Sequence, residues 1–305
     1  MTAPPFHSGY VSIVGRPNVG KSTLLNSILK EKVSIISDKP QTTRTRVLGV
    51  KQTKNCQFVF FDTPGIHKPK YKMNQRMVQS ARSTLTEVDL IYLVADATDA
   101  HNFMRKGSSG RGGDQFIIEL LKMIKTPVFL VLNKIDLVRK EKTLPLVQDF
   151  IERFSFKEVV PVSAAKGINI EKLLSLSKTH MPAGNRIFPD DVITDQPLRF
   201  IAAEEIREKI LKYTREEIPY SVAVLIDEFK EEKDHPTRIR ATVYVERNSQ
   251  KGILIGKGGG MLKRVGTEAR RDLEDLLGTK VFLEVWVKVQ KDWRQNESFL
   301  TELGY

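Results

Sequence analysis

The sequence predicts two successive domains of different class: an α/β domain with a mostly parallel sheet and helices on both faces, then a small α+β domain. Three observations carry this. From Tyr10 to Lys178, short β-rich apolar runs alternate with helical stretches. Between Met181 and Pro197 the periodicity stops, and Pro182, Gly184, Pro189 and Pro197 cluster there. After it the order changes to helix, strand, strand, helix, helix, strand. A chain of 305 residues has room for both domains.

In order, Tyr10–Val14 predicts a strand, followed by a glycine-bearing loop and a helix through Lys30. Arg46–Lys51 and Gln57–Phe61 predict strands. Helices near Asn74–Leu85, Gln115–Lys125 and Leu144–Phe154 interleave with the apolar runs Leu90–Ala95, Val128–Leu132 and Glu158–Val162, and Asn169–Lys178 closes the series. Lys106–Gly113, small, polar and basic, predicts a surface loop. Beyond the break come a helix (Arg199–Thr214), strands (Ser221–Glu228 and Arg238–Glu246), a short helix into a glycine loop (Gln250–Gly260), a helix (Met261–Leu277) and a strand (Lys280–Val289). The last strand alternates: Val281, Leu283, Val285, Val287 and Val289 face one way, Phe282, Glu284, Trp286 and Lys288 the other. The domains expected are 1–182, a linker 183–197, and 198–305.

Composition narrows the class. Charged residues at 28% and hydrophobic residues at 40% fit a globular chain. No apolar run reaches the roughly 18 residues of a bilayer span, and no charged leader precedes an apolar stretch, so a cytoplasmic location is expected. Cys56 is the one cysteine, which rules out an internal disulfide framework, and the five histidines lack metal-ligand spacing. The net charge is +12, yet from Leu198 onward 20 basic residues face 19 acidic ones. Local polarity says more: Arg238 to Arg271 holds nine basic residues against two acidic ones.

Gly15–Ser22, GRPNVGKS, fits G-x-x-x-x-G-K-[ST] between a strand and a helix. There Gly15 and Gly20 let backbone N–H groups of Asn18, Val19 and their neighbours turn toward phosphates, with the helix N-terminus through Thr23 adding its dipole. Lys21 is expected on the β- and γ-phosphates and the Ser22 hydroxyl on Mg²⁺. Asp62-Thr-Pro-Gly65 ends an apolar strand; Asp62 can reach the Mg²⁺ shell and the Gly65 N–H the γ-phosphate, although this tetrapeptide alone is ordinary turn chemistry. In Asn133-Lys-Ile-Asp136, the Asp136 carboxylate can accept from the N1–H and 2-amino group of guanine; adenine offers neither donor there. Lys134 is expected to cover the base plane and Asn133 to tie this loop to the phosphate loop. Ser163, Ala164 and Ala165, in SAAK, are expected to offer backbone N–H groups to the guanine carbonyl. Together, in this order, the set specifies a GTPase.

Thr42 and Thr43 lie where a threonine completes the Mg²⁺ shell with GTP bound, and Thr43 is the one assigned. Ile66 follows Gly65, where many GTPases place a water-orienting glutamine. Isoleucine cannot do this, so slow hydrolysis is expected. Asn18 is the expected substitute, its amide oxygen holding K⁺ against the phosphates. The expected catalytic group is therefore Lys21, Asn18, Thr43 and Gly65, and the expected metal ligands are Ser22, Thr43 and Asp62. In the second domain, Gly256-Lys257-Gly258-Gly259 is a G-x-x-G between helices, the device by which KH domains clamp four nucleotides of single-stranded RNA. The helix–strand order matches a type II KH domain, and Lys263 and Arg264 follow the loop.

Taken together, GRPNVGKS, PQTTR, DTPGIH, NKID, SAAKG, GILIGKGGGMLKRVG and the ending LEVWVKVQKDW…LGY resemble the Era family of bacterial GTPases over essentially the whole chain. The resemblance implies slow GTP hydrolysis with Mg²⁺ and binding of the small-subunit (16S) ribosomal RNA 3′ end during small-subunit assembly. It also implies a monomer with peripheral association to the inner membrane. Under it Gly256 to Gly259 touch RNA, with Lys288, Lys291 and Trp293 as further contacts. An alternative is an RNA-binding assembly factor for which GTP is a regulatory or structural ligand with incidental turnover. A tRNA-modifying GTPase is disfavoured, since no cysteine follows Cys56.

Overall fold

The computed structural model describes residues 5–66, 71–100, 112–231 and 235–305. Two compact units result: the second comprises Ile35–Thr42, Tyr71–Met73 and Gln196–Tyr305, and the first the rest.

The first unit is built on a six-stranded sheet. Its strands are β1 (His7–Gly15), β2 (Val47–Thr53), β3 (Cys56–Asp62), β4 (Leu90–Asp96), β5 (Val128–Asn133) and β6 (Glu158–Pro161), in the order β2-β3-β1-β4-β5-β6. Only β2 runs antiparallel to its neighbour. β4 and β5 read as unbroken apolar runs because they are buried on both faces, as strands of a parallel sheet are. One core contains Val14, Phe61, Leu93, Leu130 and Phe150. Burial of each such side chain stabilises the fold by roughly 2 kcal/mol. On the sheet itself Phe60, Tyr92 and Phe129 form a ring ladder, and the buried Tyr92 hydroxyl is satisfied by Ser177 Oγ at 2.5 Å.

Among the described residues, the helices of this unit are α1 (Lys21–Leu29), α2 (Lys72–Leu85, which belongs to it from Asn74), α3 (Gly112–Leu121), α4 (Lys140–Arg153) and α5 (Ile170–Lys178). Two expectations are corrected. Helix α4 begins before Leu144 and carries Pro145 inside it, because burial of Thr143, Leu146 and Phe150 along one face outweighs the lost backbone bond. Gly112 and Gly113 open α3 rather than ending a loop; the rest of Lys106–Gly113 lies outside the described residues.

The expected linker is not a loose tether. Gln57, buried in β3, accepts from the backbone N–H groups of Ile187 and Phe188 and donates to the Phe188 carbonyl at 2.8 Å. The Val50 N–H donates to Ile193 O at 2.7 Å, which covers part of the β2 edge. The chain thus remains with the first unit through Asp195.

The second unit has α6 (Leu198–Tyr213), α7 (Ile218–Ser221), β7 (Ala223–Lys230), β8 (Thr237–Val245), α8 (Asn248–Ile255), α9 (Gly260–Leu277), β9 (Val281–Val289) and α10 (Glu297–Glu302). The sheet order is β7-β8-β9, with β8 and β9 parallel. Its inner face packs Ile239, Val243 and Val287 against Ile206, Ile210, Val265 and Leu273 of the helices. Helix α6 carries buried charge as well. Lys209 reaches Glu205, Glu208 and Asp272, and its partners hold its pKa above the usual lysine range although burial opposes this.

Candidate functional site

The parallel sheet brings the C-terminal ends of β1, β3, β4 and β5 to one edge, at the point where strand order reverses around β1. Each candidate nucleotide residue in the first unit follows one of these strand ends or lies in the loop after β6, except Thr43, which lies in the loop between α1 and β2.

The loop after β1 wraps the start of α1. Gly20 caps that helix at φ 94, and a Cβ there would lie 2.4 Å from Asn133 Nδ2. Glycine is therefore required by space as well as by backbone angle. Lys21 is buried and donates to the carbonyls of Arg16 at 3.0 Å and Gly15 at 3.3 Å. Burial lowers its pKa to about 8, against the pull of Asp62. Val19 is in the core, Thr23 is half-buried, and Asn18 stands exposed with φ 65. Arg16, not singled out in the sequence, fastens the loop from outside through Asp114 at 2.7 Å and through Asp99.

Three expected metal ligands converge. Ser22 Oγ lies 2.6 Å from Asp62 Oδ2 and 2.8 Å from Thr43 Oγ1, and Thr43 Oγ1 lies 3.3 Å from Asp62 Oδ2. Ser34, missed in the sequence because nothing in its tetrapeptide marks it, donates to the same carboxylate at 2.9 Å. Asp62 is fully buried, burial raises its pKa, and its Oδ1 has no hydrogen-bond partner. A buried anionic oxygen without a partner, beside two hydroxyls, fits a small hard dication such as Mg²⁺. The Thr42 hydroxyl instead donates to the Lys39 carbonyl at 2.6 Å. Gly65 is packed against Pro17, and Ile66 is fully buried with its N–H on Gly15 O at 3.2 Å. The Ile66 side chain thus faces the core, not a phosphate.

Asn133 joins three loops. Its Nδ2 donates to Val19 O and its Oδ1 accepts from Ala164 N, both at 2.9 Å. Lys134, at φ 65, donates to Asn18 O at 2.8 Å and to Asp96 Oδ2 at 2.5 Å. These bonds hold the Lys134 ammonium between the loop after β1 and the end of β4. Asp136 receives a hydrogen bond from Ser163, which holds its pKa below the usual carboxylate range. At neutral pH it is thus an acceptor. In the SAAK group the Ala164 N–H donates to Asn133 and the Ser163 N–H to Ile168 O at 3.2 Å, while Ala165 is exposed.

In the second unit Gly256, Gly258 and Gly259 have φ of 74, 59 and 78. Space is open where a Cβ would sit on Gly258 and Gly259, so another backbone can approach closely. Lys257 is exposed. From this loop a groove of about 340 Å³ runs between α9 and β9, lined by Gly259, Leu262, Lys263, Gly266, Thr267, Arg270, Leu283 and Val285. Its helix side steps by three and four residues, a signal present in the sequence but not used there. Arg264 faces elsewhere: it lies over the Tyr213 ring at 4.0 Å and 3.9 Å from Glu268. Lys288 and Lys291 are exposed. Trp293, expected to touch RNA, is instead fully buried, with its indole N–H on Ser221 O at 2.9 Å. The correction has a plain cause, since the ring fills the end of the core beside Tyr305.

Comparison with known proteins follows the same division. Residues 10–134 match a family described as 50S ribosome-binding GTPase, and residues 217–294 match the KH domain family. The chain is 49% identical to GTPase Era of Staphylococcus haemolyticus (strain JCSC1435) over 298 residues, covering 98% of this chain and 97% of that one. It is similar to the crystal structure of a point variant of Aquifex aeolicus Era bound to GDP·AlF4⁻, with TM-score 0.91 and 43% identity, covering 98% of this chain and 99% of that one. It is equally similar to Era in complex with MgGDPNP and nucleotides 1506–1542 of 16S ribosomal RNA, with TM-score 0.92, 44% identity and the same coverage.

Proposed function

The chain belongs to the Era family of GTPases, and from that membership we propose a slow, GTP-timed RNA clamp that holds the 3′ end of small-subunit ribosomal RNA during subunit assembly. The protein binds GTP and GDP with Mg²⁺ and hydrolyses GTP to GDP and phosphate. Mg²⁺, when bound through Ser22, Thr43 and Asp62, offsets charge on the phosphate oxygens and fixes their geometry.

The chain's own groups do the rest. Lys21, charged when phosphates replace its carbonyl partners, binds the β- and γ-phosphates. Backbone N–H groups of 18–23 and of Gly65 bind the remaining oxygens. Asp136 and Lys134 hold guanine, and Ala165 its carbonyl. A water attacks phosphorus in line with the departing β-oxygen, and no side chain at Ile66 orients it. Asn18 is the group proposed to hold K⁺ against the phosphates, supplying charge where other GTPases use an arginine.

The observation that carries the RNA reading is the glycine-rimmed groove with Lys257, Lys263 and Arg270 around it. Such a groove holds four nucleotides, so a longer RNA must also meet other surfaces. The same reading includes a monomer in the cytoplasm with peripheral contact to the inner membrane. Among the described residues no helix is long and apolar enough to cross a membrane.

The buried Ile66 favours one alternative, an RNA-binding assembly factor in which GTP is a structural ligand and turnover is incidental. GTP turnover in K⁺ and in Na⁺, each with and without a short 3′-end ribosomal RNA, separates the two. The clamp predicts K⁺ stimulation lost in Asn18→Ala, and turnover or RNA affinity that depends on the other ligand. Equal rates in both salts sink the K⁺ role, and RNA binding indifferent to nucleotide favours the alternative.

A further inference from the structure

Strand β9 is an edge strand with two working faces. Its inward residues Leu283 and Val285 line the RNA groove. Its outward residues Phe282 and Trp286 are 53% and 59% exposed. Four residues of strand put them about 13 Å apart, too far for one planar group to cover both. Each has a cation beside it. Arg238 is the register partner of Phe282, with its guanidinium 5.9 Å from the ring centroid, and Lys288 follows Trp286 on the same face. Of the acids near this face, Glu228 and Glu284 both pair with Arg240, at 3.3 and 3.2 Å, Asp227 accepts from Thr242 at 2.7 Å, and Glu302 lies toward Tyr244, the register partner of Lys288. Neither Arg238 nor Lys288 forms an ion pair among the described residues. What the face still offers is two separate rings and two cations.

We propose that this outward face is a second contact for single-stranded RNA, in which Phe282 and Trp286 each stack a base and Arg238 and Lys288 meet the backbone of RNA that leaves the groove across the β9 edge. The inference rests on the RNA reading of the groove. Rings spaced along a strand and flanked by cations are the common device for holding single strands, because every base has a π-face. A protein partner is the poorer fit. The rings do not form one apolar patch, since the Arg240–Glu284 pair lies between them. The contact also continues a surface already assigned to RNA, with one strand separating its two halves.

The test uses the full chain, a 3′-end ribosomal RNA of about four nucleotides that the groove alone can hold, and one extended by about eight. Affinity is read by anisotropy, together with tryptophan emission. Trp286 is exposed and Trp293 buried, so quenching reports the face. The extended RNA is expected to bind more tightly and to quench emission, the short RNA to leave it unchanged. Trp286→Ala and Phe282→Ala should each weaken the extended RNA about tenfold and leave the short one alone, with melting unaltered. Trp286→Phe should keep most of the affinity. Lys257→Ala should weaken both RNAs. If extension adds no affinity, or the ring variants bind the extended RNA as the parent does, the face is not an RNA contact. Failure of the short RNA to bind overturns the groove reading instead, and a Trp286-dependent extended complex would still support the face.

Discussion

Ser22 Oγ and Thr43 Oγ1 stand 2.8 Å apart, both within reach of the buried carboxylate of Asp62. Ser22 opens a helix and Thr43 lies in a loop, so only folding brings them together. Thr43→Ala removes one hydroxyl from this set. It should weaken Mg²⁺-dependent GTP binding by about 1–2 kcal/mol and slow turnover, with GDP affinity changing far less under the proposed role, in which the threonine joins the Mg²⁺ shell when GTP is bound. Mg²⁺ titrations with each nucleotide check this. Equal losses for GTP and GDP would show that Thr43 serves the fold of the loop instead.

Ser163 donates to Asp136 and favours its ionised form, which can only accept. Asp136→Asn replaces one acceptor by a donor. Guanine nucleotides should lose several kcal/mol, about 3 or more, in the manner of an unpaired buried group. A xanthine nucleotide, with an oxygen in place of the 2-amino group, should gain relative to GTP. Competition binding with the two nucleotides decides it, and an unchanged preference for GTP would remove Asp136 from the base site.

The Asn133 amide occupies the space beside Gly20. Gly20→Ala should therefore displace Asn133 from Val19 and Ala164, lowering melting temperature and nucleotide affinity together. The expected stability loss is about 1–3 kcal/mol for two disturbed buried bonds and a strained backbone. A variant that melts and binds like the parent would mean the loops are not joined through Asn133.

Lys209 is shared by three carboxylates, Glu205, Glu208 and Asp272, whose oxygens lie within 4.8 Å of one another. Its folded pKa is raised above the unfolded value. Its stabilisation is thus fully present below about pH 10 and is lost as pH rises through the folded value. Lys209→Met should cost about 2–3 kcal/mol at neutral pH, less than a fully buried pair because Asp272 is partly exposed. The three acids would then repel, so their folded pKa values would rise. The variant should recover stability as pH falls toward 4, opposite to the usual acid loss. Melting curves between pH 4 and 8 test the sign; a deficit that does not shrink on acidification contradicts it.

Much of the site was legible because its motifs are contiguous. A phosphate loop needs glycines, a lysine and a hydroxyl at fixed short spacing, and GRPNVGKS states all of them. Likewise NKID gathers the expected base-reading groups in four residues. Ser34 was not legible, because its role depends on a carboxylate 28 residues away. Ala164 and Ala165 are the same residue type in adjacent places, and only the position of Asn133 separates their tasks. Trp293 ended up in the core for a related reason: a tryptophan beside lysines has the composition of a nucleic-acid contact and of a domain-closing plug alike, and its partner Ser221 lies 72 residues earlier.

The sequence by itself determined the α/β and α+β classes, the guanine nucleotide chemistry and the glycine clamp, since periodicity and short-range spacing are local properties of the chain. Only the tertiary structure decided how closely Ser22, Thr43 and Asp62 approach one another, that Ala164 joins Val19 on the Asn133 amide, and which of the two alternating faces of the last strand, the one with Phe282 and Trp286, lies outward. The physical reason is the same in each case. A parallel sheet aligns strand ends from distant parts of the chain, and packing selects which face of each element meets which neighbour. Neither choice is encoded in any short window of residues.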